Sequence, residues 1–599
     1  MKECEVRQKT CHSRRRLCRV KALPVRRSFM QALCPGTQRQ QLSRAGFGIS
    51  WLTATLLLWP LPGLASPPTV ESCELVYEDG DPALFEFVET RQKVDFSRYQ
   101  GRPIGKIHYS VLPIFNENDP AEDNWLYRTA NFLHIETRKT TLEKQMILTS
   151  GEPLDRDHLR ENERLLRSND YLVDAMIVPH RVCADHIDLL VVTRDVWTFS
   201  PSTSASRSGG ETSTSAGFTE SNLLGSGQRV AAGYFDDADR SGHFFSYRNP
   251  LLPARMQLNL SYTNASDGES LSGGLIRPFY QLDSRWSGGV DIQRENLLER
   301  IEVNGQTVNR FRQEDSRYEA FVGWSPGVQE QAIVRWRLGI TDEEERFSAV
   351  PDETTSLPED ERRVYPSISV EYQENQHLVA SNLNRAQRQE DIRLGWYHFA
   401  RMGHASKALG SNAESVIFNF STSNTRFIRK HHLFRSGLSA SGRYQDDDFV
   451  STYYGGNLSY YYFLNQNNRW FARLNVNAGR NLRQDEQLTI GGNDNLRGYP
   501  TDYQRGDRRW VLSVERRRFT NWQIFNLAYV GGAVYVDAGQ AWEQGQPRGS
   551  TLANAGLGLR LSPSKFRVDR VLHLDVAAPL VNQDEVDDVQ LIVTGRVDF

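Results

Sequence analysis

Cysteine, histidine and clustered carboxylates are the side chains through which this sequence could do chemistry, and their spacing narrows the options. Cys4, Cys11, Cys18 and Cys34 precede an apolar run at 45–65, whereas Cys73 and Cys183 follow it. No Cys-x-x-Cys pair or Cys/His cluster has zinc-site spacing, so no metal is expected. His431 and His432 are an isolated pair, suited to an interface girdle or a turn. The acidic stretches Asp342–Glu345 and Asp352–Glu361 read as solvated surface loop rather than a cation site, because like charges this dense repel and stay hydrated. Gly-x-Ser-x-Gly, His-Glu-x-x-His and phosphate-loop motifs do not occur. The chain therefore reads as no enzyme and requires no cofactor.

The elements that must position these residues begin with the run Ala45–Ala65. It follows basic residues and ends Pro62-Gly63-Leu64-Ala65-Ser66, which reads as a signal peptide cut after Ala65. An uncleaved anchor is the rival reading. The 44 residues upstream, with Arg14-Arg15-Arg16 and Arg26-Arg27, suggest a start at Met30 rather than Met1. Secretion leaves Cys73 and Cys183 as candidates for one disulfide in an oxidising compartment; two buried free thiols are the alternative. Charge is balanced, with Lys+Arg 71 against Asp+Glu 74, which argues against nucleic acid as a partner.

Residues 66–101 are rich in Pro, Asp and Glu and read as a loosely structured lead-in. Residues 102–197 then run strand, helix, helix, strand, strand, a small α+β domain. From 198 to 599 the helical period vanishes and about 20 period-two segments follow. Short connections (Asn222–Gly227, Asn249–Ala254, Gln281–Asp283, Asn465–Asn468) alternate with long ones (Asn296–Glu314, Asp342–Arg362, Leu482–Asp507, Glu543–Ser550). An up-and-down barrel with short turns on one side and long loops on the other produces this alternation; a soluble sandwich does not. In the last segment Leu591, Val593, Val597 and Phe599 share one face, opposite Thr594, Arg596 and Asp598. A lipid-facing closing strand has that pattern.

Three motifs then point to a family. Gly217-Phe218-Thr219-Glu220-Ser221-Asn222-Leu223-Leu224-Gly225-Ser226-Gly227, Tyr247-Arg248-Asn249-Pro250 and Gly491-Gly492-Asn493-Asp494-Asn495-Leu496-Arg497-Gly498-Tyr499-Pro500 resemble the BamA/TamA and two-partner-secretion transporter superfamily. Val536-Asp537-Ala538-Gly539 and the terminal Phe599 fit its late strands. The resemblance implies an outer-membrane barrel preceded by a polypeptide-transport-associated (POTRA) domain in the periplasm. It also implies that the loop holding Leu496, Arg497, Gly498 and Tyr499 folds into the lumen, where Arg497 meets an inner-wall carboxylate. Parity supplies the partners: valines 530, 534 and 536 facing lipid put Asp537 inside, and Leu512 and Val514 facing lipid put Glu515 inside. Leu591, Val593, Val597 and Phe599 become the signal for the protein's own insertion.

The sequence departs from the family in two ways. It holds one POTRA domain where relatives carry two or more, and its segment count of about 20 exceeds the family's, with the surplus at Arg317–Gly339 and His432–Phe463. The family value, about 16 strands, is the one expected here. The function implied is insertion or translocation of polypeptides at the outer membrane, with polypeptide clients, outer-membrane lipids and periplasmic chaperones as partners. The alternative is a passive outer-membrane channel or structural barrel.

Overall fold

A computed structural model describes residues 73–596, apart from 91–93, 209–210, 237–239, 304–305, 352–355, 385, 388, 493–495, 566–570 and 582–585. The leader with its signal, and the terminal Val597 and Phe599, lie outside the described residues. Among those described, no helix is long and apolar enough to cross a membrane.

The N-terminal domain is built on a sheet of β1 (Glu74–Leu75), β2 (Ile104–Leu112), β3 (Leu172–Val182) and β4 (Ile187–Asp195), in the order β1-β3-β4-β2. Strand β4 pairs antiparallel with β3 and parallel with β2, and all nine of its residues are buried. Both faces of the sheet are covered, which explains the unbroken apolar run Leu189–Val192. Helices α3 (Lys139–Glu143) and α4 (Arg156–Arg167) bring Leu142, Leu159 and Leu166 onto Ile177, Leu189 and Val191. On the other face, α1 (Ala83–Thr90) packs Leu84, Phe85, Phe87 and Val88 against Val178, Leu190 and Val192. The expectation of a loose lead-in over 66–101 fails here. From Cys73 onward that segment supplies a strand and a helix, because Ala83-Leu84-Phe85-Glu86-Phe87-Val88 offers an apolar stripe that the sheet would otherwise leave wet. The remaining helix, α2 (Trp125–Leu133), is capped by the Asn124 side chain, which accepts from the Tyr127 amide.

The barrel is closed, and its last strand, Gln590–Arg596, lies beside its first, Phe199–Ser208. Among the described residues its 22 strand segments make 20 staves. Val328–Gln329 continues Gln306–Trp324, and Gln376–Ser381 continues Glu361–Glu374, each pair sharing one neighbour. This matches the count of about 20 segments read from the sequence rather than the family value of about 16. Both surplus stretches are wall, with Val322, Leu338, Leu438 and Leu458 exposed on the outer face. Alternation is regular: Val534 and Val536 are 63% and 48% exposed, whereas Tyr535 and Asp537 are buried. Val530, expected to face lipid, is buried.

Two of the expected long loops are also strand. Trp286–Val303 and Gln306–Trp324 take up most of Asn296–Glu314, and Ala332–Ala349 runs through the acidic residues Asp342–Glu345. Those acids are not a solvated loop. Arg363 on the next strand reaches Glu343 at 2.8 Å and Glu345 at 2.5 Å, and Arg362 reaches Asp342 at 2.9 Å. Interleaved cations remove the repulsion that made a hydrated loop the natural reading.

Candidate functional site

The long segment between Asn468–Arg480 and Arg508–Ile524 enters the bore at the end away from the N-terminal domain. A short hairpin, Leu488–Ile490 with Gln504–Gly506, stiffens its base. At one side Arg483 reaches Glu345 at 2.6 Å and lies over the Phe347 ring. At the other, Leu496 and Tyr499 are fully buried against Ile490, Val511, Ala541 and Leu552. The Tyr499 hydroxyl donates to the Ala553 carbonyl at 2.8 Å and accepts from the Ala553 amide at 3.2 Å. Gly498 has φ +81, the left-handed region, and a Cβ there would sit 3.3 Å from the Ala577 methyl.

Between these anchors Arg497 is 4% exposed. Its Nε donates to Asp537 Oδ2 at 2.7 Å and its Nη2 to Asp537 Oδ1 at 2.8 Å, a bidentate fork. The same Nη2 reaches Glu515 Oε1 at 2.9 Å, and the guanidinium lies 3.3 Å from the Tyr535 ring centre. Ser513 donates to Asp537 at 2.6 Å, and Asn554 holds the Arg497 carbonyl at 2.6 Å. All four sequence-selected loop residues and both selected carboxylates thus meet in one place. Ser513 and Tyr535 lie on the acidic faces by parity. Asn554 had no sequence signal, nor did the adjoining wall pair Arg560–Asp575 (2.7 Å), because both depend on cross-strand register.

Residues 386–561, which span the loop and most of its wall, match the family described as haemolysin secretion/activation protein ShlB/FhaC/HecB. That stretch of the barrel is similar to this family, and the match stops short of the N-terminal domain and the first half of the wall. Solved structures similar to it include CdiB from Escherichia coli, at 12% identity and TM-score 0.42 over 84% of this chain and 78% of that one. CdiB from Acinetobacter baumannii is similar at 12% identity and TM-score 0.40 over 82% and 73%. BamA from Haemophilus ducreyi lacking POTRA domains 1-3 is similar at 14% identity and TM-score 0.37 over 83% and 84%. No curated protein sequence matches the chain.

Two further features of this barrel escaped the sequence. The first is a second inward segment, at the end nearer the N-terminal domain. Gln376–Ser381 and Gln389–Ala405 form a ribbon whose turn bends onto the inner wall. There Leu383 packs with Leu433, Tyr461 and Phe471, the Ala386 amide donates to Ser562 Oγ at 3.4 Å, and Asn382 donates to Asn467 at 3.3 Å. The second is on β3. Its partner β1 covers only Arg181 and Val182, leaving the Asp174–Pro179 edge without a strand. Helix α4 caps that edge with side chains. Glu163 accepts from the Ile177 amide at 2.9 Å, and Arg167 donates to the Ala175 carbonyl at 3.2 Å. Arg167 also forks onto Asp391 of the ribbon at 3.1 and 3.2 Å. Burial pushes the Glu163 carboxyl up to about 7.

The remaining selected residues sit apart from the loop. Cys73 and Cys183 are joined as a disulfide that pins the start of β1 beside the β3–β4 turn. In the last strand Leu591 is 61% exposed, with Val593 on the same face and Ile592 buried on the opposite one.

Proposed function

We propose that this barrel carries a polypeptide client through the outer membrane, with the N-terminal domain acting as a POTRA domain in the periplasm. An arriving client, delivered unfolded by periplasmic chaperones, adds as a strand to the β3 edge and replaces the Glu163 and Arg167 caps. Main-chain hydrogen bonding at such an edge is indifferent to sequence, which suits an extended chain. The client then leaves through the bore, past the displaced Arg497 loop, or through the seam where the last strand meets the first. Leu591 and Val593, continued by Val597 and Phe599, serve as the barrel's own insertion signal. The observation that supports this reading best is the buried Arg497 fork. A permanently open channel has no use for a loop locked across its bore, whereas a regulated conduit does.

The test compares surface and secreted polypeptides in cells lacking this protein, complemented with the wild type or with Arg497→Ala. Loss of particular polypeptides, restored by the wild type, supports the proposal. An unchanged profile together with a large constitutive conductance would establish the passive-channel alternative. Depletion of barrel proteins from the membrane, with the medium unchanged, would assign insertion rather than translocation.

A further inference from the structure

Helix α2 wears its apolar face on the outside. Trp125, Leu126, Phe132 and Leu133 are 73%, 53%, 86% and 61% exposed, and Ile135 just beyond is 54% exposed. At 100° per residue the four helical positions fall within one arc of about 120°. The opposite face is the one that packs: Tyr127 stacks on Phe115 with ring centres 4.2 Å apart, and Ala130 lies with Ile114, Trp197 and Leu527. A surface helix normally points its apolar stripe at a core. An exposed stripe of this size on a folded domain marks an interaction surface.

The position of the helix selects the partner. At its start, the Tyr127 hydroxyl donates to the Phe525 carbonyl at 2.5 Å, and Asn526 donates to the Ala121 carbonyl at 3.2 Å. These bonds fix α2 to the turn between the wall strands Arg508–Ile524 and Ala528–Trp542. Just past its end, the Arg138 amide donates to Gly225 at 3.0 Å, and Asn222 donates to Thr137 at 2.8 Å. That second turn joins Glu211–Glu220 to Arg229–Asp236. In barrel order the two turns flank the closing seam, so α2 together with the segment up to Arg138 bridges the domain-side rim from one side of the seam to the other. The rim itself continues the apolar surface, with Trp522 65%, Phe525 79% and Leu224 56% exposed. Because the buried face of α2 rests on both the domain core and the barrel turn, its apolar face points away from both. At that level what surrounds a membrane barrel is the headgroup–acyl boundary, where Trp, Phe and Leu on an amphipathic helix are most favourably placed.

We infer that α2 lies in the membrane interface beneath the seam, with Trp125, Leu126, Phe132 and Leu133 inserted among lipids. The N-terminal domain is thereby held to the bilayer as well as to the barrel turns. Lipid next to the closing strand is then displaced by protein on its domain side, and any lateral opening of the seam takes place above this helix.

The test reconstitutes the full chain into bilayers of phosphatidylethanolamine and phosphatidylglycerol, with a nitroxide on Phe132→Cys or, as a water-facing control, on Glu143→Cys. Oxygen should relax the label at 132, and a water-soluble nickel chelate should lose most of its effect there while acting fully at 143. Full nickel access at 132 in bilayers would overturn the inference. Nickel access that disappears only when a second polypeptide is added would also overturn it and assign the face to protein docking. Heat-modifiable migration shows that each variant has a folded barrel. An independent reading needs no label: quenching by chain-brominated lipid should drop in Trp125→Phe relative to the wild type, and equal quenching in the two would count against insertion.

Discussion

Two segments of the chain turn inward from opposite ends of the barrel, and they are held by different forces. The loop at the far end places Arg497 on two buried carboxylates and a tyrosine ring. The turn at the domain end is held to the wall by longer bonds, Asn382 to Asn467 at 3.3 Å, Ala386 to Ser562 at 3.4 Å and Arg469 to the Leu383 carbonyl at 3.4 Å. Removing one member of a buried ion cluster strands the rest without partner or water, whereas losing a neutral hydrogen bond costs far less. The far loop is thus built to stay until something competes for its arginine, and the near turn to yield to a modest pull. Asp391, at the base of that turn, is bound to Arg167 of the N-terminal domain, so such a pull has a source.

The comparison can be broken most forcefully at Arg497. Arg497→Ala should cost about 3–5 kcal/mol, because Asp537 stays buried without its counter-ion while Glu515 keeps only Arg517, at 2.7 Å. Protease should then cut within 482–507 of folded barrels that resist it in the wild type. Reducing Cys73–Cys183, which touches neither inward segment, is the next largest effect, about 2–4 kcal/mol confined to the N-terminal domain. Selective digestion of that domain, with a mass shift after alkylation, checks this. Ser562→Ala should cost only about 0.5–1.5 kcal/mol and leave 482–507 protected. Parity of the Ser562→Ala and Arg497→Ala effects would erase the proposed difference. The smallest effect is the pH slope from Glu163. Its folded carboxyl keeps its proton to about 7, above the ordinary value, so the domain gains stability at low pH and loses it as pH rises through about 7. That slope is at most about 1.4 kcal/mol per pH unit, and Glu163→Gln should flatten it in domain-resolved melting curves.

Much of this arrangement was legible from period-two patterning. Parity alone put Asp537 and Glu515 inside, because valine and leucine alternate with them in strands that have one lipid face. The same rule failed where strands run on beyond the apolar belt. Through Asp342–Glu345 both faces are polar, so alternation vanishes although hydrogen bonding to Arg362 and Arg363 continues. The near turn was illegible for another reason. Asn382 and Asn384 look like ordinary turn residues, and only the closed wall brings Ser562, 176 positions away from Ala386, within reach. The outward face of α2 was illegible as well, since Leu126, Ala130 and Leu133 at helical spacing do not reveal that Leu126 and Leu133 are exposed.

Single-channel recording on the full chain in planar bilayers tests the lock across the bore most directly. With Arg497 in place the current should stay low, with brief openings. Arg497→Ala should produce long-lived open levels, because nothing else on the loop replaces the bidentate fork onto Asp537. Traces from Arg497→Ala indistinguishable from the wild type would show that the buried ion cluster does not control the bore.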